Sequence, residues 1–127
     1  MTYLWDTHAL IWAMEGDPQL PAAARAAAVQ HGENAVCGIS LWEVACLADK
    51  KRIRFSIPLA KWMQEVNRLM PVLNITGEIA ARCYALGNFH GDPADRIITA
   101  TALVHGLTLV TRDEKIPRYP GLKTLWD

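Results

Sequence analysis

Five carboxylates stand where a sequence of this kind could do chemistry. Asp6 closes the short apolar run Tyr3-Leu4-Trp5, Glu43 follows the apolar run Ala35-Val36-Cys37-Gly38-Ile39, and Asp113 comes three residues after Val110. Asp92 and Asp95 open the amphipathic stretch that precedes that last apolar run. Carboxylates drawn together repel and raise one another's pKa unless a cation neutralises them. For an all-oxygen site the fitting cation is Mg²⁺, with Mn²⁺ close behind. A divalent ion there lowers the pKa of a water and stabilises charge on a phosphate. Each acid also has a plain structural reading. Ser40-Leu41-Trp42-Glu43 has the capping-box pattern, in which Glu43 would reach back to the Ser40 N–H. Asp92-Pro93 suits an N-cap and first helical position, Asp95 would complement the helix dipole, Asp6 could cap a helix at Thr7, and Asp113 could close a turn. Capping does not explain why acids, and not Ser, Thr or Asn, recur at several strand ends.

The elements that must position these acids are legible as alternating short strands and helices. Tyr3 to Trp5 is a strand, followed by a helix ending near Gly16. Pro21 begins a second helix through the alanine-rich stretch Ala22 to Val29. The run from Ala35 to Ile39 is the next strand, with Ser40 as N-cap of a helix from Leu41 to about Lys50. Pro58 opens a helix carrying Leu59, Trp62, Met63, Val66, Leu69 and Met70 at helical spacing, Pro71 to Ile75 is a strand, and Thr76 caps a helix to Leu86. Asp92-Pro93 opens a helix ending near Gly106, Leu107 to Val110 is a buried strand, and Leu122 to Trp126 is an edge strand. Uniformly apolar strands separated by helices call for a parallel sheet covered on both faces. The expected fold is a three-layer α/β/α sandwich with a mostly parallel central sheet, one domain over residues 1–127. In such sheets ligands bind outside the carboxyl ends of the strands, where the acids fall.

Composition narrows the setting. Half of the 127 residues are hydrophobic (51%), enough to bury a core, and 20% are charged. Thirteen Lys plus Arg balance thirteen Asp plus Glu, so no global field favours an anionic partner, and any nucleic-acid surface must be a local patch. Cys37, Cys46 and Cys83 form no C-x-x-C pair, which argues against a disulfide framework or a Cys-rich zinc site. No secretory leader or membrane-length apolar run is evident, so a cytoplasmic protein is expected.

The stretches from Tyr3 to Trp12, Ile39 to Ala45, His90 to Arg96 with Ala100-Thr101-Ala102, and Leu109 to Asp113 together resemble a PIN-domain ribonuclease, in order and over essentially the whole chain. The nearest resemblance is to toxins of the VapC type from prokaryotic toxin–antitoxin pairs. It implies a Mg²⁺-dependent endoribonuclease with an RNA substrate, a cognate small antitoxin and a homodimeric state. It further implies that Asp6 and Asp95 hold the metal, that Glu43 and Asp113 complete the catalytic set, and that Thr111 is a hydrogen-bonding neighbour. Asp92 is a nearby acid best read as a cap.

His8, His31, His90 and His105 lack any familiar metal-ligand spacing. Arg96, Arg112, Lys115 and Arg118 are candidates for RNA phosphates or an acidic antitoxin tail, while the basic run Lys50 to Arg54 reads as a solvated helix end. Trp5, Trp12, Trp42 and Trp62 fall mostly on apolar faces and are expected in the core. The helix with Trp62, Met63 and Val66 has apolar surface enough for a partner helix. Three other function classes compete. A receiver-type phosphoacceptor domain has similar length and strand-end acids but needs a mid-chain acceptor Asp and a late Lys. Only Asp49 is available, in or at the end of a helix, and Thr111-Arg112-Asp113 offers no Lys. A haloacid-dehalogenase-type phosphatase would need a second Asp two residues after Asp6, where His8 stands. A non-catalytic binding module on the same fold is the third alternative.

Overall fold

The computed structural model describes residues 1–87, 92–113 and 119–127. His90, Gly91, Lys115 and Arg118, singled out above, lie outside them. Five strands form one parallel sheet in the order β3-β2-β1-β4-β5, where β1 is Tyr3–Trp5, β2 Asn34–Cys37, β3 Val72–Leu73, β4 Thr108–Val110 and β5 Thr124–Leu125. Six helices connect them: α1 Thr7–Glu15, α2 Ala22–Ala28, α3 Gly38–Asp49, α4 Leu59–Leu69, α5 Gly77–Ala85 and α6 Pro93–His105. The expected sandwich is the observed one.

The chain grows outward from β1 through β2 to β3, then returns past β1 to add β4 and β5. Right-handed crossovers put the helices of these two directions on opposite faces of the sheet. The core agrees, because strand residues alternate between two apolar layers. Trp5, Val36 and Val110 pack with Leu10, Ala24, Trp62 and Val66 from α1, α2 and α4. Leu4, Ala35, Cys37 and Leu109 pack with Ile98 and Ala102 from α6. Ile79 and Leu86 then bind α5 onto Ala100 of α6. A buried Asn34 ties the first layer together: its Oδ1 accepts from Trp5 Nε1 at 2.8 Å, and its Nδ2 donates to Ala27, Ala28 and Gln30 carbonyls at the end of α2.

Several local expectations are corrected. The apolar run Ala35 to Ile39 is strand only as far as Cys37, which serves as N-cap, and α3 starts at Gly38. Ser40 is therefore inside the helix and fully buried, not its cap, and the capping-box reading of Glu43 falls with it. Pro21 and Pro58 stand one place earlier than expected, as N-caps of α2 and α4. The strand expected over Pro71 to Ile75 shortens to two residues, and the edge strand to Thr124–Leu125. Thr76 does cap α5, its Oγ1 accepting from Ile79 N, and Gly106 ends α6 with a left-handed φ of 66° that suits a residue without Cβ. Trp5 and Trp62 are buried and Trp12 partly so, but Trp42 is 62% exposed on α3.

Candidate active site

The reversal of strand order falls between β1 and β4, and such a switch point opens a crevice at the carboxyl edge of a parallel sheet. Trp5 is in register with Val110, so the residues that leave these strands leave side by side. Asp6 N donates to Val110 O at 3.0 Å, which fixes the chain at that exit. Thr111, 2% exposed, donates its Oγ1 to Asp6 Oδ2 at 2.7 Å and accepts from Asp113 N at 3.1 Å. The expected hydrogen-bonding role of Thr111 is thus observed, and it links the first and last acids.

Asp6 serves its helix and the crevice at once. It is the N-cap of α1, Oδ1 accepting from Thr7 N at 2.7 Å, while Oδ2 turns to Thr111. Glu43, one turn into α3, accepts from the buried Thr7 hydroxyl instead of capping its own helix. Thr7 is the residue that sequence reasoning missed. Its only signal was its place directly after a strand-end acid, where a hydroxyl faces whatever the next acid presents. On the far side, α6 leads back into β4, so its N-terminus must start at the carboxyl edge. Asp92 caps it, Oδ1 accepting from Ala94 N at 2.9 Å and Asp95 N at 3.4 Å, as its sequence position implied. Asp95 then stands in the first turn.

All five acids, Asp6, Glu43, Asp92, Asp95 and Asp113, line one cavity of about 300 Å³, together with Thr7, His8 and Arg112. Burial, with their mutual repulsion adding to it, raises the pKa values of three of them. Burial raises the Asp95 pKa to about 7, helped by the charges of Asp6, Asp92, Asp113 and Glu43. Burial also raises Asp6, an effect opposed by the Thr111 hydroxyl, the Thr7 N–H and the charge of His8. Glu43 is raised by burial, opposed by its bond from Thr7, with Asp92 and Asp6 adding to the rise. Oxygen donors whose charge is disfavoured by burial and by one another fit a hard divalent cation, which would offset both. Among the described residues no three His, Cys, Asp or Glu are already drawn close enough to grip an ion, so binding would require their side chains to turn inward.

The remaining candidates sort differently. Arg112 lines the cavity, its guanidinium 4.8 Å from the centre of the Trp12 ring. Arg96 does not: it donates to the Cys83 and Gly87 carbonyls at 2.8 and 3.2 Å and clasps the end of α5 to α6. These bonds give Arg96 a structural role. Asp49, the acceptor a receiver domain would need, is the exposed last residue of α3. Trp42, expected in the core, borders a shallow cavity with His8, Glu43 and Lys50.

Replacing Thr111 by Val is expected to remove a bond that favours the charged form of Asp6. The Asp6 pKa should rise further, and activity of the site should fall about tenfold with its acidic limb moved to higher pH. A pH–rate profile of the purified variant checks this, and an unmoved acidic limb would separate Thr111 from Asp6.

Known proteins share this family and fold. The profile of the PIN domain family matches residues 3–122. The chain is 40% identical over 129 aligned positions to Ribonuclease VapC22 of Mycobacterium tuberculosis, covering 98% of each protein. A toxin–antitoxin complex from Klebsiella pneumoniae contains a chain of the same fold, with a TM-score of 0.72, 28% identity and 95% of each chain covered. The DNA-bound VapBC of Salmonella typhimurium superposes with a TM-score of 0.74 at 19% identity, over 98% of this chain and 97% of that one, a likeness of fold.

Proposed function

The chain belongs to the PIN domain family, and from that premise we propose that it is a divalent-metal-dependent endoribonuclease, the toxin of a toxin–antitoxin pair. The observation that carries the reading is the convergence of Asp6, Glu43, Asp95 and Asp113 on one cavity at the switch point of the sheet. Asp6 and Asp95 are assigned to holding the ion, Mg²⁺ with Mn²⁺ as substitute. Glu43 and Asp113 complete the acidic wall, and Asp92 remains a cap that adds its charge. When bound, the cation supplies charge stabilisation at a phosphate and a lowered pKa for a water. The protein's own part is to hold its carboxylates in place. Thr7 fixes one Glu43 oxygen, and Thr111 and the Thr7 N–H fix both oxygens of Asp6. The net reaction adds water across an RNA phosphodiester, giving a phosphate end and a hydroxyl end.

A small antitoxin is the partner supported by the 28%-identical chain in the Klebsiella complex, and a homodimer is the assembly the family resemblance favours. Among the described residues no helix is long and apolar enough to cross a membrane, and the cytoplasm is where an RNA substrate would be met. A receiver domain fits poorly because Asp49, the acceptor it would need, stands exposed at the end of α3 and does not line the acid cavity.

Chelation provides the test. Purified protein treated with EDTA should lose RNA cleavage by at least about 100-fold and regain it on adding Mg²⁺ or Mn²⁺. Cleavage that persists in excess chelator would overturn the metal assignment, and RNA that stays intact under every ion would favour a binding module.

A further inference from the structure

A second groove, of about 540 Å³, opens beside the acid cavity. Its cations arrive from two distant stretches: Arg52 and Arg54 follow α3, and Arg112 follows β4. Lys51 takes a left-handed φ of 55° between α3 and Arg52, so the helix ends in a sharp reversal. Among the described residues no carboxylate lies within ion-pair distance of these three arginines. The two acids in the groove are engaged elsewhere. Glu15 accepts from Ser56 N and Oγ at 2.9 and 3.0 Å, and Asp17 accepts from Gln19 N at 2.8 Å. Among the described residues Arg52 and Arg54 are thus unpaired with a carboxylate, and Arg112 lies over the Trp12 ring. His8 and Arg112 line both the groove and the acid cavity, so the two adjoin.

A cavity walled by five carboxylates repels a polyanion, and a strand cut there must be held by cations close by. Phosphate contacts position a nucleic acid without reading its sequence. We propose that the arginine groove holds the backbone phosphates of the RNA strand next to the one cleaved, with Arg52 and Arg54 gripping the flank and Arg112 at the junction. This assignment rests on the acid cavity being an RNA-cleaving site. An acidic protein segment is the less favoured occupant, because a docked helix needs an apolar stripe. Here Ile11 is buried and Trp12, Leu47 and Ile53 are partly buried against the core, whereas Arg52, Arg54 and Arg112 are exposed.

The test is anisotropy of a labelled single-stranded RNA oligonucleotide in EDTA, which keeps the strand intact. Arg52→Gln/Arg54→Gln protein should bind about 10- to 100-fold more weakly, to the same extent on unrelated sequences. Its plot of log affinity against log salt should be shallower by about 1.4, since each single-strand phosphate contact contributes roughly 0.7. In Mg²⁺ its KM should rise while kcat stays within about twofold. Arg25→Gln on the exposed face of α2, outside the groove, should bind as wild type does. Single Arg54→Gln protein, which removes one exposed side chain, answers the question should the double variant fold poorly, with a smaller loss and a slope change of about 0.7. Unchanged RNA affinity and slope in a folded variant would overturn the proposal. So would intact RNA binding combined with lost binding of a poly-glutamate peptide. Absent Mg²⁺-dependent cleavage with arginine-dependent RNA binding retained would remove the nuclease reading and leave the groove as an RNA site.

Discussion

Asp6→Asn protein is expected to fold as wild type does and to lose RNA cleavage by about 10³-fold or more, roughly 4 kcal/mol of transition-state stabilisation. The two halves of this expectation come from the two jobs of one side chain. As N-cap of α1, Asp6 uses Oδ1 to accept from Thr7 N, and Asn caps a helix as well as Asp does. As a member of the acid cavity it supplies a charge that Asn lacks. Burial already raises its pKa, so removing that charge relieves strain in the metal-free protein and should not lower its melting temperature. Thermal melts alongside cleavage assays check both halves. An Asp6→Asn protein that cuts RNA at the wild-type rate would take Asp6 out of the chemistry, and an unfolded one would show that its structural bonds dominate.

Asp95→Asn is expected to trade activity for stability, with a sign that depends on pH. The Asp95 carboxyl in the folded chain titrates near 7, above its ordinary 3.8. A raised acid contributes most to stability below its unfolded pKa, and that contribution is lost as pH rises through the folded value. Above about pH 7 the metal-free wild type therefore carries the full cost of a charge that is partly buried and held among four others. The whole shift would correspond to ~4 kcal/mol, but Asp95 is only partly buried, and solvent screening reduces this to about 1–2 kcal/mol. Metal-free Asp95→Asn should thus melt several degrees higher than wild type at pH 8 and show little difference near pH 4. Saturating Mg²⁺ should narrow or reverse the gap at pH 8, since ligand binding stabilises the chain that binds it better. Melts at both pH values, with and without Mg²⁺, check the pattern, and equal melting temperatures at pH 8 in EDTA would contradict it. Wild-type activity should fall as pH drops through 7, because protons and the cation compete for the same carboxylate.

The acids could be found in the sequence because parallel topology is a strong constraint. Apolar runs ending at Asp6 and just before Asp113, and a helix opened by Asp92-Pro93 ahead of the last buried strand, leave few arrangements that do not bring them to one edge. What local pattern could not give was the course of the chain within an apolar run. Ala35 to Ile39 reads equally as strand or helix, so local pattern sets the entry to α3 three residues later than the fold does. A cap for Glu43 follows from that later start, whereas its partner in the fold is Thr7. Trp42 shows the same limit from the other side. Helical spacing puts it near apolar neighbours, yet α3 turns it out beside the acid cavity. Arg96 and Arg112 both sit close to acids in sequence, and only the packing of α5 on α6 separates the clasp from the cavity residue. The basic run after α3 had no visible relation to Arg112, because a reversal at Lys51 and more than fifty residues lie between them.

The most direct measurement is the anomalous scattering of crystals equilibrated with Mn²⁺, collected for wild-type and Asp6→Asn protein. Wild type should show a peak at the switch point of the sheet, within coordination distance of Asp6 and Asp95, which the Asp6→Asn crystals lack. A Mn²⁺ peak away from these carboxylates, or an equal peak in both proteins, would contradict the assignment of the five-acid cavity as the metal centre for RNA cleavage.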